Sequence, residues 1–208
     1  MKLRPFCADE TIMVRYIAFF SLLVCSAAAQ DASQLVGRWR SVETSKGGIG
    51  AMYDFKADGT IRLSPGVIVS MQYRRDGERL TFAPSDGIAY TVKWNGDDRM
   101  QLTINGTGSE DYTRLGVGRD PQNKLVGEWT GSRDMDGKKV LVHWIFGDDS
   151  NATLMIRFLT QVGNYTVQNG RLVATFGGQV GLDGTISLAD GILSINRSRG
   201  RITKLSRY

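Results

Sequence analysis

Two kinds of side chain in this sequence could take part in catalysis or metal binding: a histidine and several pairs of acidic residues. His143 is the single histidine, and a haem or metal ligand is the most specific role open to it. A zinc site takes several ligands from Cys, His and carboxylates. Cys7 and Cys25 lie near the N terminus, in a segment that we expect to be removed on export. We therefore predict no metal site and no bound cofactor.

The acidic pairs are Asp97-Asp98, Glu110-Asp111 and Asp148-Asp149. Adjacent residues of a strand point to opposite faces, so such a pair does not bring two carboxylates to one spot. General acid–base catalysis needs carboxyl groups that meet in space with shifted pKa values. The sequence also lacks a G-x-S-x-G motif for a nucleophilic serine. These observations predict no catalytic residues and a protein that is not an enzyme.

Aromatic residues are the candidates for ligand binding. A ligand pocket is lined mainly by apolar and aromatic side chains, with a few polar groups such as tyrosine hydroxyls to orient the ligand. Packing in an ordinary core is the alternative interpretation. Basic residues are scattered along a chain of net charge +5, without the clusters that nucleic-acid binding needs. The candidate ligand-binding residues are Tyr53, Tyr73, Trp94, Trp144 and Tyr165.

The elements that must position these residues are strands. Apolar residues alternate with polar ones in many short segments, as at Tyr53 and Phe55, and such alternation indicates half-buried strands. Asp58-Gly59, Asp76-Gly77 and Asn105-Gly106 separate the segments, and these pairs favour tight hairpin turns. The pattern predicts an all-β protein in which short antiparallel strands follow one another as a meander.

A repeat divides the chain. The segment Leu35-Val36-Gly37-Arg38-Trp39 returns 90 positions later as Leu125-Val126-Gly127-Glu128-Trp129. We predict two tandem units, 30–116 and 125–208, joined by a linker at 117–124. An open sheet of short strands exposes its edges, and closure into a small β-barrel removes them. One larger barrel shared by both halves is the alternative to two barrels.

Residues 1–29 have the features of a secretory signal. An apolar run at 16–24 follows Arg15, and Ala27-Ala28-Ala29 fits the cleavage pattern. Translation begins at Met1 or at Met13, and an uncleaved anchor is the alternative reading of this segment. We expect a periplasmic or secreted protein of the cell envelope.

The Gly-x-Trp motif, together with a basic residue on the last strand of each unit, resembles the lipocalins and the wider calycin group. The resemblance implies that the tryptophan closes the bottom of each barrel and that the basic side chain lies across its ring. A cation over an indole contributes about 1 kcal/mol where it is partly shielded from water. The matching residues are Gly37, Trp39 and Arg114 in unit one, and Gly127, Trp129 and Lys204 in unit two.

These features lead to an expected function, with two alternatives. We expect a non-enzymatic binding protein for a small apolar molecule or a lipid. The first alternative is a protein–protein interaction module with barrels filled by side chains. Leu141, His143 and Ile145 then form an outer face that is buried between the units, in a dimer or against a partner. The second alternative, implied by the resemblance, is a calycin-type enzyme. Nucleic acid is not an expected partner.

Overall fold

The computed structural model describes residues 32–83, 88–104, 108–116 and 122–208. The all-β class is confirmed, since antiparallel strands form nearly all of the regular structure in these ranges. The expected signal at 1–29, the turn at Asn105-Gly106 and most of the expected linker lie outside them. Within these ranges, helical structure is limited to 32–35 and a 3-10 turn at Ser198–Gly200. In the described ranges, no helix has the length and apolar character of a membrane span.

Fifteen strands are described. The first seven are β1 (Gly37–Ser41), β2 (Ile49–Phe55), β3 (Thr60–Asp76), β4 (Arg79–Ala83), β5 (Ala89–Trp94), β6 (Arg99–Ile104) and β7 (Gly108–Leu115). The other eight are β8 (Gly127–Met135), β9 (Lys138–Phe146), β10 (Asn151–Arg157), β11 (Gln161–Gln168), β12 (Arg171–Phe176), β13 (Gln179–Ala189), β14 (Ile192–Arg197) and β15 (Ile202–Arg207). The predicted turns at Asp58-Gly59 and Asp76-Gly77 join β2 to β3 and β3 to β4. Gly59 and Gly77 have φ values of 82° and 61°, the conformation for which glycine is favoured.

The strand pairings form two rings that share β3. In ring one, each strand from β3 to β10 pairs with the next, and β10 pairs back onto β3. In ring two, the order is β3, β11, β12, β13, β14, β15, β1 and β2, and β2 pairs back onto β3. Every pairing is antiparallel. Ring closure pairs the edges that an open sheet would expose.

Ring membership does not follow the predicted units. Ring two combines β1 and β2 of unit one with β11 to β15 of unit two. Ring one combines β4 to β7 of unit one with β8 to β10 of unit two. Trp39 on β1 accordingly pairs with Arg207 on β15. Each ring therefore combines strands from both of the predicted ranges, 30–116 and 125–208.

Two apolar cores fill the rings. The apolar residues of the alternating strands point into the rings. Each strand therefore contributes its apolar face to a core. The core of ring one is formed by Tyr73, Leu80, Phe82, Val92, Met100, Leu102, Tyr112, Leu125, Trp129, Val142, Trp144, Phe146, Ala152 and Ile156. The core of ring two is formed by Leu35, Trp39, Tyr53, Phe55, Ile61, Tyr165, Leu172, Ala174, Leu182, Leu193, Ile195 and Leu205. A small third cluster of Met52, Ile68 and Met155 lies between the rings.

Gly66 marks the point where β3 passes from one ring to the other. It pairs with Gly50 of β2 on one side and with Arg157 of β10 on the other. A Cβ atom added at Gly66 would lie 2.0 Å from the carbonyl oxygen of Ile156. This contact is with backbone, which cannot move aside without disturbing the β3–β10 pairing.

We expect Gly66→Ala to lower the free energy of unfolding by about 1–3 kcal/mol, the usual cost of overfilling a packed site. Urea denaturation measures this loss. Gly47→Ala is the control, because the nearest atom to its added Cβ is Ser45 Oγ at 3.9 Å. Equal losses in the two variants would contradict the close crossing at Gly66.

Candidate ligand-binding groove between the rings

The structure places the predicted ligand-binding aromatics in two separate cores. Tyr73 and Trp144 lie in the core of ring one, and Trp94 packs against it. Tyr53 and Tyr165 lie in the core of ring two. The five residues therefore do not line one common pocket.

The aromatics of ring one are packed against each other. Trp144 stacks on Phe82 and on Phe146, with ring centroids 5.0 and 5.3 Å apart. The ring of Tyr73 meets Phe146 edge-on at 5.3 Å. Such pairs stabilise a core beyond the area that they bury.

The hydroxyls of Tyr73 and Tyr165 already have backbone partners. Tyr73 Oη donates to the carbonyl of Gly147 at 2.7 Å, and Tyr165 Oη donates to the carbonyl of Lys56 at 2.8 Å. The Tyr73 bond joins β3 to the hairpin between β9 and β10, and the Tyr165 bond joins β11 to the hairpin between β2 and β3. Each bond therefore connects the two predicted units, and the two contacts are equivalent. Neither hydroxyl is left over to orient a ligand in its core.

The two motif tryptophans are fully buried, and each has the same surroundings. Trp39 Nε1 donates to the carbonyl of Leu35 at 2.7 Å, and Trp129 Nε1 donates to that of Leu125 at 2.8 Å. A guanidinium covers each indole: Arg207 Cζ is 4.4 Å from the Trp39 ring centroid, and Arg114 Cζ is 4.1 Å from that of Trp129.

These contacts correct the expected pairs. Arg114 lies over Trp129 and not over Trp39, because the units exchange strands. Lys204 does not cover a tryptophan: its Nζ is 3.8 Å from Glu43, and Arg207 takes the place over Trp39.

The glycine of each motif has a positive φ, 130° at Gly37 and 124° at Gly127. A Cβ at Gly37 would lie 2.6 Å from Nη1 of Arg207. A side chain at this position would have to adopt this unusual φ and would displace the guanidinium over Trp39, so glycine is favoured here. This is a local physical reason for the Gly-x-Trp pattern in unit one.

His143 lies between the rings and not on an open face. Its side chain is almost fully buried, and its ring meets the Tyr208 ring edge-on with centroids 6.0 Å apart. His143 Nδ1 is 3.5 Å from Nη2 of Arg157, and Nε2 is 3.3 Å from the carboxylate of Glu128. The outer face of β9 is therefore covered at His143 by the chain itself, while Leu141 remains exposed.

Glu128 connects the two units. Its carboxylate contacts His143 and accepts a hydrogen bond from Arg38 Nη2 at 2.7 Å. These two partners lower the pKa of Glu128 to about 2 against the opposing effect of burial. Arg38 and Glu128 occupy equivalent positions of the two Gly-x-Trp motifs, so the repeated motifs meet through opposite charges.

We expect Glu128→Gln to lower the free energy of unfolding at pH 7 by about 1–3 kcal/mol, the range for hydrogen bonds to charged groups. The Glu128 pKa is lower in the folded protein than its ordinary value of 4.5, so its contribution is complete above pH 4.5 and is lost as the pH falls toward 2. The difference between wild type and variant should therefore shrink over this range. Urea titrations at several pH values measure this difference in the free energy of unfolding.

Glu43→Gln provides the control for that series, since Glu43 is largely exposed and its pairing with Lys204 is long. Exposed ion pairs contribute little to stability. A wild-type to Glu128→Gln difference that stays constant from pH 7 to pH 3 would contradict the assigned environment of Glu128.

A groove of about 260 Å³ opens beside this cluster, between the two rings. Its wall combines charged, hydroxyl and apolar side chains from β1, β2, β3, β9 and β10. Tyr53 is the one predicted ligand-binding residue that reaches it. The lining residues are Arg38, Met52, Tyr53, Asp54, Arg62, Ser64, Leu141, Arg157, Thr160 and Tyr208.

The arginines of this groove have no distinguishing feature in the sequence, because each is one of many scattered basic residues. The signal that could have located the groove is the opposite charge at equivalent motif positions, Arg38 and Glu128. That difference favours a contact between the motifs, and the groove lies next to it. Comparison of the chain with protein-family models, curated proteins and solved structures found no match.

Proposed function

We propose that this chain is a non-enzymatic binding protein of the cell envelope, made of two tandem lipocalin-like barrels that exchange their opening strands. The repeated Gly-x-Trp motifs and the arginine over each indole support the lipocalin-like assignment. The closed order of strand pairing in each ring supports the barrels. The expected ligand is a small apolar molecule or a lipid.

The ligand site that we propose is the groove between the rings and not the interior of either barrel. The observation that carries this choice is the contrast between packed cores and the 260 Å³ groove. Stacked aromatics occupy ring one, and the hydroxyls of Tyr73 and Tyr165 are bonded to backbone. The groove offers apolar wall at Met52 and Leu141 together with polar groups that can orient a ligand.

Native mass spectrometry of the chain purified from cell envelopes tests this site. We expect a bound small molecule on the wild-type protein and its loss from Leu141→Trp, in which the larger side chain fills the groove. Val180→Trp is the matched control, since Val180 is 62% exposed and lies outside the groove.

A wild-type protein that carries no small molecule would contradict the proposal. A ligand that survives in Leu141→Trp would place the site elsewhere. Cell fractionation tests the location separately: we expect the protein in the envelope or the medium, and a cytoplasmic pool alone would contradict export.

A protein partner is the second candidate function. The observation that favours it is a set of exposed apolar side chains at one side of the groove: Leu141, Phe158, Leu159 and Val162. Exposed apolar patches mark interaction sites on soluble proteins. A bound protein and no small molecule in the same native spectra would favour this candidate.

A further inference from the structure

The groove carries more positive charge than the carboxylates in it and beside it neutralise. Three of its side chains are guanidiniums and one is a carboxylate. Arg38 is paired with Glu128, and Asp54 is paired with Lys56 at 2.8 Å. Arg62 and Arg157 form no ion pair with a carboxylate among the described residues, although Asp54 is the cross-strand neighbour of Arg62.

Arg157 is the more constrained of these two. It is half-buried, and its Nε is shielded from water without a hydrogen-bond partner in the described part of the chain. Its Nη2 lies 3.5 Å from His143 Nδ1, and its guanidinium also interacts with the Tyr208 hydroxyl. A buried donor without a partner is costly, and a ligand acceptor in the groove would remove that cost.

Arg62 is exposed, and no side-chain hydrogen bond or ion pair of Arg62 exists among the described residues. Its strand position faces the same groove as Arg157. A guanidinium binds carboxylate and phosphate groups through two parallel hydrogen bonds. Because neither arginine forms an ion pair with a carboxylate, the two together favour an anionic group. The Tyr208 hydroxyl, whose pKa is raised by burial, interacts with Arg157 and stays neutral beside them.

Apolar side chains stand next to both arginines. Leu141 pairs with Arg157 across β9 and β10, and Val162 pairs with Arg62 across β11 and β3. Directly paired residues of antiparallel strands project from the same face. Each of these two arginines therefore has an exposed apolar side chain beside it.

The short connection between β10 and β11 extends this apolar surface. Phe158 and Leu159 lie between Arg157 and Thr160, which both line the groove. Their exposed fractions are 49% and 50%. We call Leu141, Phe158, Leu159 and Val162 the apolar rim.

We propose that the groove binds the anionic headgroup of a single-chain lipid, held by Arg62 and Arg157, while the apolar rim contacts its hydrocarbon chain. This inference rests on the proposed function, because it names the ligand class of the same groove. The groove volume suits one headgroup, and the rim supplies apolar area that a free anion would not use. The two features together favour an anionic amphiphile over a neutral lipid or an inorganic ion.

Isothermal titration of the full chain with dodecyl phosphate, below its micelle concentration, tests the inference. We expect one binding site and a loss of affinity of about ten- to a hundredfold for Arg157→Gln and for Arg62→Gln, the range for charged hydrogen bonds. Arg62 is exposed, so its variant folds even if the Arg157 variant does not. Arg79→Gln is the matched control, because Arg79 is an exposed residue of β4 outside the groove and its substitution removes the same charge.

Two further ligands separate the headgroup from the chain. Inorganic phosphate should bind at least tenfold more weakly than dodecyl phosphate, and dodecyl maltoside, which has the same chain without charge, should also bind weakly. Phe158→Ser should weaken dodecyl phosphate by about tenfold, since an apolar side chain is lost, and leave inorganic phosphate unchanged.

Each contrary result has one meaning. Equal binding of dodecyl maltoside, with no effect of the arginine variants, overturns the anionic headgroup but leaves the proposed binding function. Equal binding of inorganic phosphate overturns the role of the apolar rim. Failure of dodecyl phosphate to bind, while native spectra show a groove ligand, overturns this inference alone; failure of both experiments overturns the binding function as well.

Discussion

Cleavage of the backbone within residues 117–121 is expected to leave the two halves of the protein firmly associated. Four strand pairings join 32–116 to 122–208: β1 with β15, β3 with β10, β3 with β11, and β7 with β8. Both apolar cores also draw residues from both halves. Separation would expose these cores to water, so the halves should part only when the fold itself is lost.

A protease site inserted into 117–121 makes this measurable by size-exclusion chromatography before and after cleavage. We expect one species of unchanged size in buffer and two fragments only in denaturant. The uncleaved protein with the same insertion is the control. Two half-size species in buffer would mean that each sequence unit closes its own barrel, and the exchanged arrangement would be wrong.

Trp129→Ala is expected to have the largest effect of any single substitution proposed for this protein. The side chain is fully buried in the core of ring one, donates a hydrogen bond to Leu125 and lies under Arg114. Its removal should lower the free energy of unfolding by about 3–5 kcal/mol, the range for deleting a buried aromatic side chain. Urea denaturation gives the value. Trp94→Ala, at a half-buried tryptophan of the same ring, should cost less.

A double-mutant cycle extends this experiment to the exchange of strands. Arg114→Met combined with Trp129→Ala should show a coupling energy of about 1 kcal/mol, because the cation lies over that indole. Arg114→Met combined with Trp39→Ala should be additive, since Trp39 is covered by Arg207. Coupling to Trp39 in place of Trp129 would contradict the observed pairing.

The strands could be predicted from the sequence because they depend on local features of the chain. Alternation at Tyr53 and Phe55 reflects a buried face, and the Asp-Gly pairs at 58–59 and 76–77 reflect the backbone conformation of tight turns. These features give the all-β class without knowledge of distant contacts.

Which strands pair with each other could not be predicted from the sequence, because the strands of the two predicted units are similar. β1 can satisfy the same alternation against a last strand from either unit, so the pattern does not distinguish exchanged from unexchanged rings. The continuity of β3 through Pro65 and Gly66 was hidden for a different reason. That dipeptide is typical of turns, yet here Gly66 allows the close approach of β10.

The candidate groove was partly accessible. The sequence points to Tyr53 and to Leu141, which both line it. It does not point to Arg62 or Arg157, because an outward-facing arginine in a strand is ordinary until a second element covers it. Burial between two rings depends on tertiary contacts, and alternation along one strand carries no information about them.

The pairing of Trp39 with Arg207 also sets the order in which the molecule can assemble as it leaves the ribosome. The strands of ring one, from β3 to β10, are consecutive, so that ring can close once residue 157 has emerged. β1 and β2 can pair with each other and with β3 as soon as they are made, but the other edge of β1 must wait for the final strand, β15. Contacts so distant along the chain form slowly, and the unpaired edge of β1 is open to aggregation in the meantime. A partly synthesised chain therefore exposes this one edge of β1 until β15 has been made.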